Sequence, residues 1–142
     1  MYKKVNKLSK TQAAYLAGIL DGEGTITLTR RGKNANRQVA VTISNTEKTL
    51  IDYLIKTIGA GVVISKKTYK RHHLPSFAYQ IHNRQALDLL DQLLPFLVGY
   101  KKDRATLLLR DYIKLTPRNG KYSFEIKKKR EKFIKKFFEI TQ

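Results

Sequence analysis

The chain of 142 residues has no cysteine, which excludes disulfides, thiolate zinc sites and cysteine nucleophiles. Long apolar runs are also missing. No stretch of about eighteen apolar residues is present to cross a bilayer, and Lys3, Lys4, Lys7 and Lys10 precede too short an apolar stretch for a secretory signal. The expectation is a soluble, intracellular protein with no membrane partner. There is no glycine-rich phosphate loop, hydrolase triad, zinc pattern or internal repeat, and nothing asks for a small-molecule substrate. Acidic residues are scarce: eleven Asp and Glu stand against 29 Lys and Arg, a formal net charge of +18 with a pI near 10.2. Like charge at that density opposes compaction, and a polyanion would relieve it through counterion release. Nucleic acid is favoured over a membrane surface, but charge alone does not separate DNA from RNA.

What is present fills one core. The hydrophobic fraction of 42% and the length fit a single domain over residues 1–142. Its core is expected at about 9–115, with a basic helical extension at about 117–142. Ser9 and Gln12 form a capping-box pattern that opens a helix ending near Asp21-Gly22. From Thr25 the apolar period switches to two: Thr25, Thr27 and Thr29 alternate with Ile26 and Leu28. A second strand alternates Val39, Val41 and Ile43 with Gln38, Ala40, Thr42 and Ser44, after which Asn45 or Thr46 caps a helix closed by Gly59. A third strand, roughly Val62 to Tyr69, and a fourth around Phe77, Tyr79 and Ile81 complete two hairpins. Asn83 caps a helix that ends before Pro95. Another runs from about Lys102 to Leu115, and a last one, from about Ser123, directs Ile126, Phe133, Ile134, Phe137 and Phe138 inward. The fold class is α+β, αββαββα, with one four-stranded antiparallel sheet and helices on one face. Its other face is polar. It fits a DNA saddle, and a plain solvated sheet face would have the same alternation.

Ala14, Gly18 and Gly22 recur every fourth residue on the first helix, a stripe that lets another helix backbone approach closely, from this chain or a second copy. Asp21-Gly22-Glu23-Gly24 then sets two carboxylates at the negative end of the helix dipole, where a divalent cation would offset the repulsion. A solvated turn is the plainer explanation of that tetrapeptide taken alone.

The tetrapeptide does not stand alone. Leu16-Ala17-Gly18-Ile19-Leu20-Asp21-Gly22-Glu23-Gly24 resembles the LAGLIDADG signature of homing endonucleases, with Ile-Leu for Leu-Ile, Gly for the second Ala and Glu for the second Asp. The resemblance extends over about residues 10–115, through Ser44-Asn45-Thr46-Glu47-Lys48 and Leu94-Pro95-Phe96-Leu97 followed by Lys101-Lys102. It implies a metal-dependent endonuclease cutting double-stranded DNA across the minor groove. Glu23 would be the metal ligand, and Mg2+ the cation, with Mn2+ or Ca2+ able to bind the same site. Lys101, or its neighbour Lys102, would be the active-site lysine, and Glu47 would take the place of a polar residue that orders water. Ala14, Gly18 and Gly22 would form the interface of a homodimer, since one motif per chain supplies one Glu23.

The sheet face would lie in the major groove of a near-palindromic site. Its expected readers are Thr27, Thr29, Arg31, Gln38, Ala40, Thr42, Ser44, Ile64, Lys66, Thr68, Ala78 and Gln80, with Arg37, Lys67, Lys70 and Arg71 on phosphates. His72 and His73, in a basic loop without a carboxylate, fit a solvated or DNA-contacting loop. A non-cleaving binder of the same fold, such as an intron maturase or a regulator, is the alternative. A ribosomal-type RNA protein explains the charge but not the glycine stripe joined to the acidic pair.

Overall fold

The computed structural model describes residues 3–66 and 74–142. Helix α1 (Lys10–Glu23) leads directly into strands β1 (Gly24–Thr29) and β2 (Gln38–Asn45), followed by α2 (Lys48–Ile58). Strands β3 (Val62–Lys66) and β4 (Ser76–His82) precede α3 (Asn83–Leu93), α4 (Tyr100–Asp111) and α5 (Phe124–Glu139), with short 3-10 turns at Leu94–Phe96 and Ile113–Leu115. The sheet is antiparallel throughout, in the order β1-β2-β4-β3. The α+β order expected from the sequence is the order found.

Pair register fixes which residues share a face. Thr27 opposes Ala40, Ala40 opposes His82, Thr42 opposes Gln80, and Ser44 and Ile64 both oppose Ala78. The alternate positions, Ile26, Leu28, Val39, Val41, Ile43, Tyr79 and Ile81, join one buried cluster with Leu16 and Leu20 of α1, Leu54 of α2, Leu90 of α3 and Leu108 of α4. All these helices therefore cover one face of the sheet and leave the other open.

Four boundaries differ from the sequence expectation. Helix α1 runs on to Glu23 and is closed by Gly24, whose N–H donates to the Leu20 carbonyl. Helix α2 starts at Lys48, with Glu47 as its cap position and Asn45 Oδ1 accepting the Glu47 N–H. Asn83 is the first residue of α3 rather than its cap, at φ +55°, a left-handed conformation that asparagine tolerates better than most residues. Helix α4 begins at Tyr100, where the Asp21 carboxylate of α1 accepts the preceding amides, and ends at Asp111, ahead of the 3-10 turn Ile113–Leu115.

The C-terminal helix is integral to the body. Ser123 caps α5, with its Oγ accepting the Ile126 N–H, and Phe133 and Phe137 are buried. Arg104 of α4 donates to Ile140 O at 2.8 Å and Ile26 O at 2.9 Å, with its guanidinium 4.7 Å from the centre of the Phe137 ring. Arg37 donates to Leu28 O at 2.9 Å and lies 5.0 Å from the centre of the Phe138 ring. Strand β1 is at the sheet edge, so these two arginines occupy carbonyls that an edge strand would otherwise offer to another chain. Buried Arg130 ties the same corner together, donating to Leu115 O, Thr116 Oγ1 and Arg37 O. Truncating Phe137 to alanine should lower the unfolding free energy by about 3–5 kcal/mol in urea melts. A change below about 1 kcal/mol would mean that α5 is only appended to the core.

Candidate active site and nucleic-acid interface

The motif helix is built to show one face. Leu16, Ala17 and Leu20 are buried beneath it, and Ala14, Gly18 and Gly22 are exposed on the far side. A Cβ placed at Gly18 or Gly22 would meet nothing within 4 Å among the described residues. No helix among the described residues therefore packs on Gly18 or Gly22, which speaks against a contact within the chain. Gly18 costs the helix about 1 kcal/mol relative to alanine without recovering it inside this chain. Tyr15, 54% exposed, flanks the stripe and meets Tyr53 of α2 edge to face.

At its C-terminal end, α1 meets the start of α4 through a reciprocal exchange. Asp21 accepts the Val98 N–H at 2.9 Å and the Gly99 N–H at 3.2 Å, so a carboxylate sits at the positive end of the α4 dipole. Lys101 answers from α4, donating from Nζ to Leu20 O and Asp21 O, both at 2.9 Å, at the negative end of α1. The Lys101 side chain is buried, whereas Lys102 is exposed, which singles out Lys101 as the lysine at the motif end. Burial pushes the Lys101 ammonium below the ordinary lysine range, Asp21 opposes that shift, and Arg104 adds to it.

Glu23, freed from structural duty by Asp21, is the exposed last residue of α1. Its Oε2 accepts from Asn45 Nδ2 at 2.8 Å, and the Asn45 Oδ1 accepts the Glu47 N–H at 2.8 Å. Asn45, expected from the sequence only as a cap, thus links Glu23 to the Glu47 backbone, and Lys101 lies at the same end of α1. A signal for it exists: β1 starts at Gly24 opposite Ile43, so continuing that register carries the end of β2 alongside the end of the motif. Among the described residues, no group of three or more His, Asp and Glu side chains could enclose a cation. One exposed carboxylate with one oxygen uncommitted fits a hard cation only if other oxygen ligands arrive from outside the chain.

The open sheet face carries Thr27, Thr29, Gln38, Thr42, Ser44, Ile64 and Gln80 with accessible side chains. Ala40 and Ala78 lie on it as well, but at 0% and 1% exposure their methyl groups are covered by longer neighbours and offer no surface to a base. Arg31 is exposed just past β1. Arg37, expected on a phosphate, is instead half-buried and committed to Leu28 O and Phe138. The register puts Lys66 on the open face, whereas Lys67, Thr68, Lys70, Arg71, His72 and His73 lie outside the described residues. His82, opposite Ala40, shares the face although the sequence reading left it out; burial, and then nearby Arg31, hold its pKa below the usual histidine range.

The helix junction generates a direct test. Asp21→Ala leaves two N–H groups at the start of α4 without their acceptor and should cost about 1–2 kcal/mol of stability by thermal or urea unfolding. An unchanged midpoint would show that Asp21 does not hold the junction.

No family model and no curated protein matches the chain. Solved structures do. The homing endonuclease I-CvuI, in complex with its target in the presence of Ca, superposes with a TM-score of 0.73 at 22% identity, over 94% of this chain and 83% of that one. The homing endonuclease I-TnaI gives a TM-score of 0.59 at 18% identity, over 92% of this chain and 88% of its own. The LAGLIDADG homing endonuclease I-GzeII, in complex with a DNA target, gives 0.65 at 14% identity, over 88% of this chain and 43% of its own. With the nine-residue signature at the end of α1 and this backbone around it, the chain has the fold of the LAGLIDADG homing endonucleases.

Proposed function

We propose that the chain is a site-specific DNA endonuclease acting as a homodimer on a near-palindromic duplex. The observation that carries this reading is Glu23: an exposed carboxylate at the end of a helix whose Gly18 and Gly22 have open space above them among the described residues. A second copy packed on that stripe would bring a second Glu23 beside the first, and the chain has one motif and no repeat to provide it otherwise. A twofold dimer presents two copies of the open sheet face, each suited to the major groove of one half-site. The +18 charge supports a duplex partner, and I-CvuI and I-GzeII were solved with DNA targets.

In this reading both strands are hydrolysed across the minor groove, leaving 3′ overhangs as the resemblance implies. A divalent cation, Mg2+ by expectation, would be held by Glu23 of each copy and would supply charge neutralisation and an acidified water at the phosphate. Glu23 holds that position because Asp21 and Lys101 fix the helix end. Lys101 spends two N–H groups on the Leu20 and Asp21 carbonyls and retains one for the charge that builds on the phosphorane or for the attacking water. Glu47, whose backbone N–H is held by the Asn45 that also binds Glu23, would order water beside that carboxylate.

Glu23→Gln should reduce cleavage of a selected target by at least about a hundredfold while leaving DNA affinity within about threefold. Cleavage that persists in this variant would end the assignment. Wild-type binding without cleavage at any selected site, with magnesium present, would favour a maturase or regulator.

The interface has its own test. At Gly18 an added Cβ meets no described atom outside its own helix, and leucine improves helix propensity, so Gly18→Leu should keep the subunit fold. Light scattering should nevertheless report a monomer in place of the wild-type dimer. A dimer that survives the leucine would place the interface elsewhere.

A further inference from the structure

The outer end of the open sheet face holds a chain of hydrogen bonds that runs from the core to a reading position. Val39 N–H donates to the hydroxyl of buried Tyr112 at 3.3 Å, and that hydroxyl donates to Asn83 Oδ1 at 3.0 Å. Asn83 then donates from Nδ2 to Oε1 of Gln38 at 3.4 Å, the longest link. Each step sets the polarity of the next. A phenol has one hydrogen, so accepting from Val39 and donating to Asn83 leaves Asn83 with its amide N–H groups outward, and these meet the carbonyl oxygen of Gln38. Asn83 is kept in place at φ +55°, a conformation few side-chain-bearing residues adopt without compensation.

Gln38 is exposed, and it closes the β1–β2 hairpin opposite Thr29, at the end of the strands away from Glu23. Glutamine ordinarily reads adenine with both amide atoms, accepting from N6 and donating to N7. Here Oε1 is turned to Asn83, which takes one of its lone pairs, so the free arm of the amide is the donating NH2 group. The surrounding cleft of about 200 Å3 is lined by Thr29, Arg30, Arg31, Gln38, His82 and Asn83, and its two guanidinium groups can only donate. A base edge presenting two acceptors and no donor fits that corner. In the major groove this is guanine, through O6 and N7.

We propose that Tyr112 and Asn83 are positioning residues that lock the Gln38 amide as a donor, making Gln38 a reader of guanine at an outer position of each half-site. The inference rests on the DNA-reading function proposed above. It differs from simple exposure of a polar residue, because it assigns the choice between guanine and adenine to two side chains that need not touch the duplex.

Duplexes bound by the full chain are selected from a randomised library and sequenced, for the wild type, Gln38→Ala, Asn83→Gly and Tyr112→Phe. Glycine accepts the left-handed φ at position 83 without the amide, so the backbone is retained. Wild type should enrich guanine over adenine at one outer position, and Gln38→Ala should lose that preference there and nowhere else. Asn83→Gly should reduce the guanine-to-adenine ratio at that position by roughly tenfold while retaining a purine preference, and Tyr112→Phe should shift it the same way. Inner positions should be unchanged in all three variants. A position that depends on Gln38 but is unaffected by Asn83→Gly overturns the lock alone. A Gln38-dependent preference for adenine in the wild type does the same. A wild-type profile with no sequence preference overturns the DNA-reading function and the lock together.

Discussion

Two helix ends meet head to tail, and the rest of the site depends on how they are joined. The α1 carbonyls of Leu20 and Asp21 receive the Lys101 ammonium, and the α4 amides at Val98 and Gly99 receive the Asp21 carboxylate. Each charge lies at the dipole end that favours it; Asp21 satisfies amides that the α4 terminus leaves without partners, and Lys101 binds the Asp21 carbonyl and adds a second donor to the Leu20 carbonyl. Because Asp21 faces inward to α4, Glu23, two residues on, is left as the projecting carboxylate at the end of the motif. The acidic pair thus divides its work. One member closes the protein's own structure, and the other is available to chemistry from outside.

The same division runs through the whole molecule. Apolar residues of the sheet and helices close one core, while two surfaces remain uncovered among the described residues: the glycine-notched face of α1 and the polar face of the sheet. A protein with 29 basic and eleven acidic residues cannot neutralise itself. A duplex on the sheet and a second copy on α1 would answer the two surfaces at once, and the Glu23 side chains would then lie where those surfaces adjoin. Arginine is used differently from lysine. Arg37, Arg104 and Arg130 brace the β1 edge against α5, and the exposed positive charge of α5 is all lysine.

Much of this was legible in the chain, for physical reasons that differ by residue. The capping box at Ser9, the alternation of Thr25 to Thr29, and Gly59 at φ +75° are local signals, and local signals survive in a sequence. The start of α4 lies earlier than the sequence pattern suggests because a carboxylate 77 residues away from the Val98 amide sets it, and no window along the chain contains both. Alternation identifies the open polar face but not depth on it, so it includes Ala40 and Ala78 among the expected readers although their neighbours cover them. Arg37 looked like a phosphate contact because its type suggests one; its bond to Leu28 O and its place on Phe138 follow from the C-terminal helix folding back on the edge strand. Asn45 was noticed only as a cap, since its tie to Glu23 requires the hairpin to bring β2 back to the motif.

The absence of cysteine makes the central claim directly measurable. A single Gly18→Cys substitution introduces the chain's one thiol on the open stripe, and a disulfide between copies forms only if their α carbons approach within about 7 Å. Mild oxidation on target DNA should convert this variant to a covalent dimer in high yield, with a cysteine at exposed Thr106 as the control that stays uncoupled. DNA-bound protein in which Gly18→Cys does not couple, or couples no better than the control, would contradict the paired-helix account.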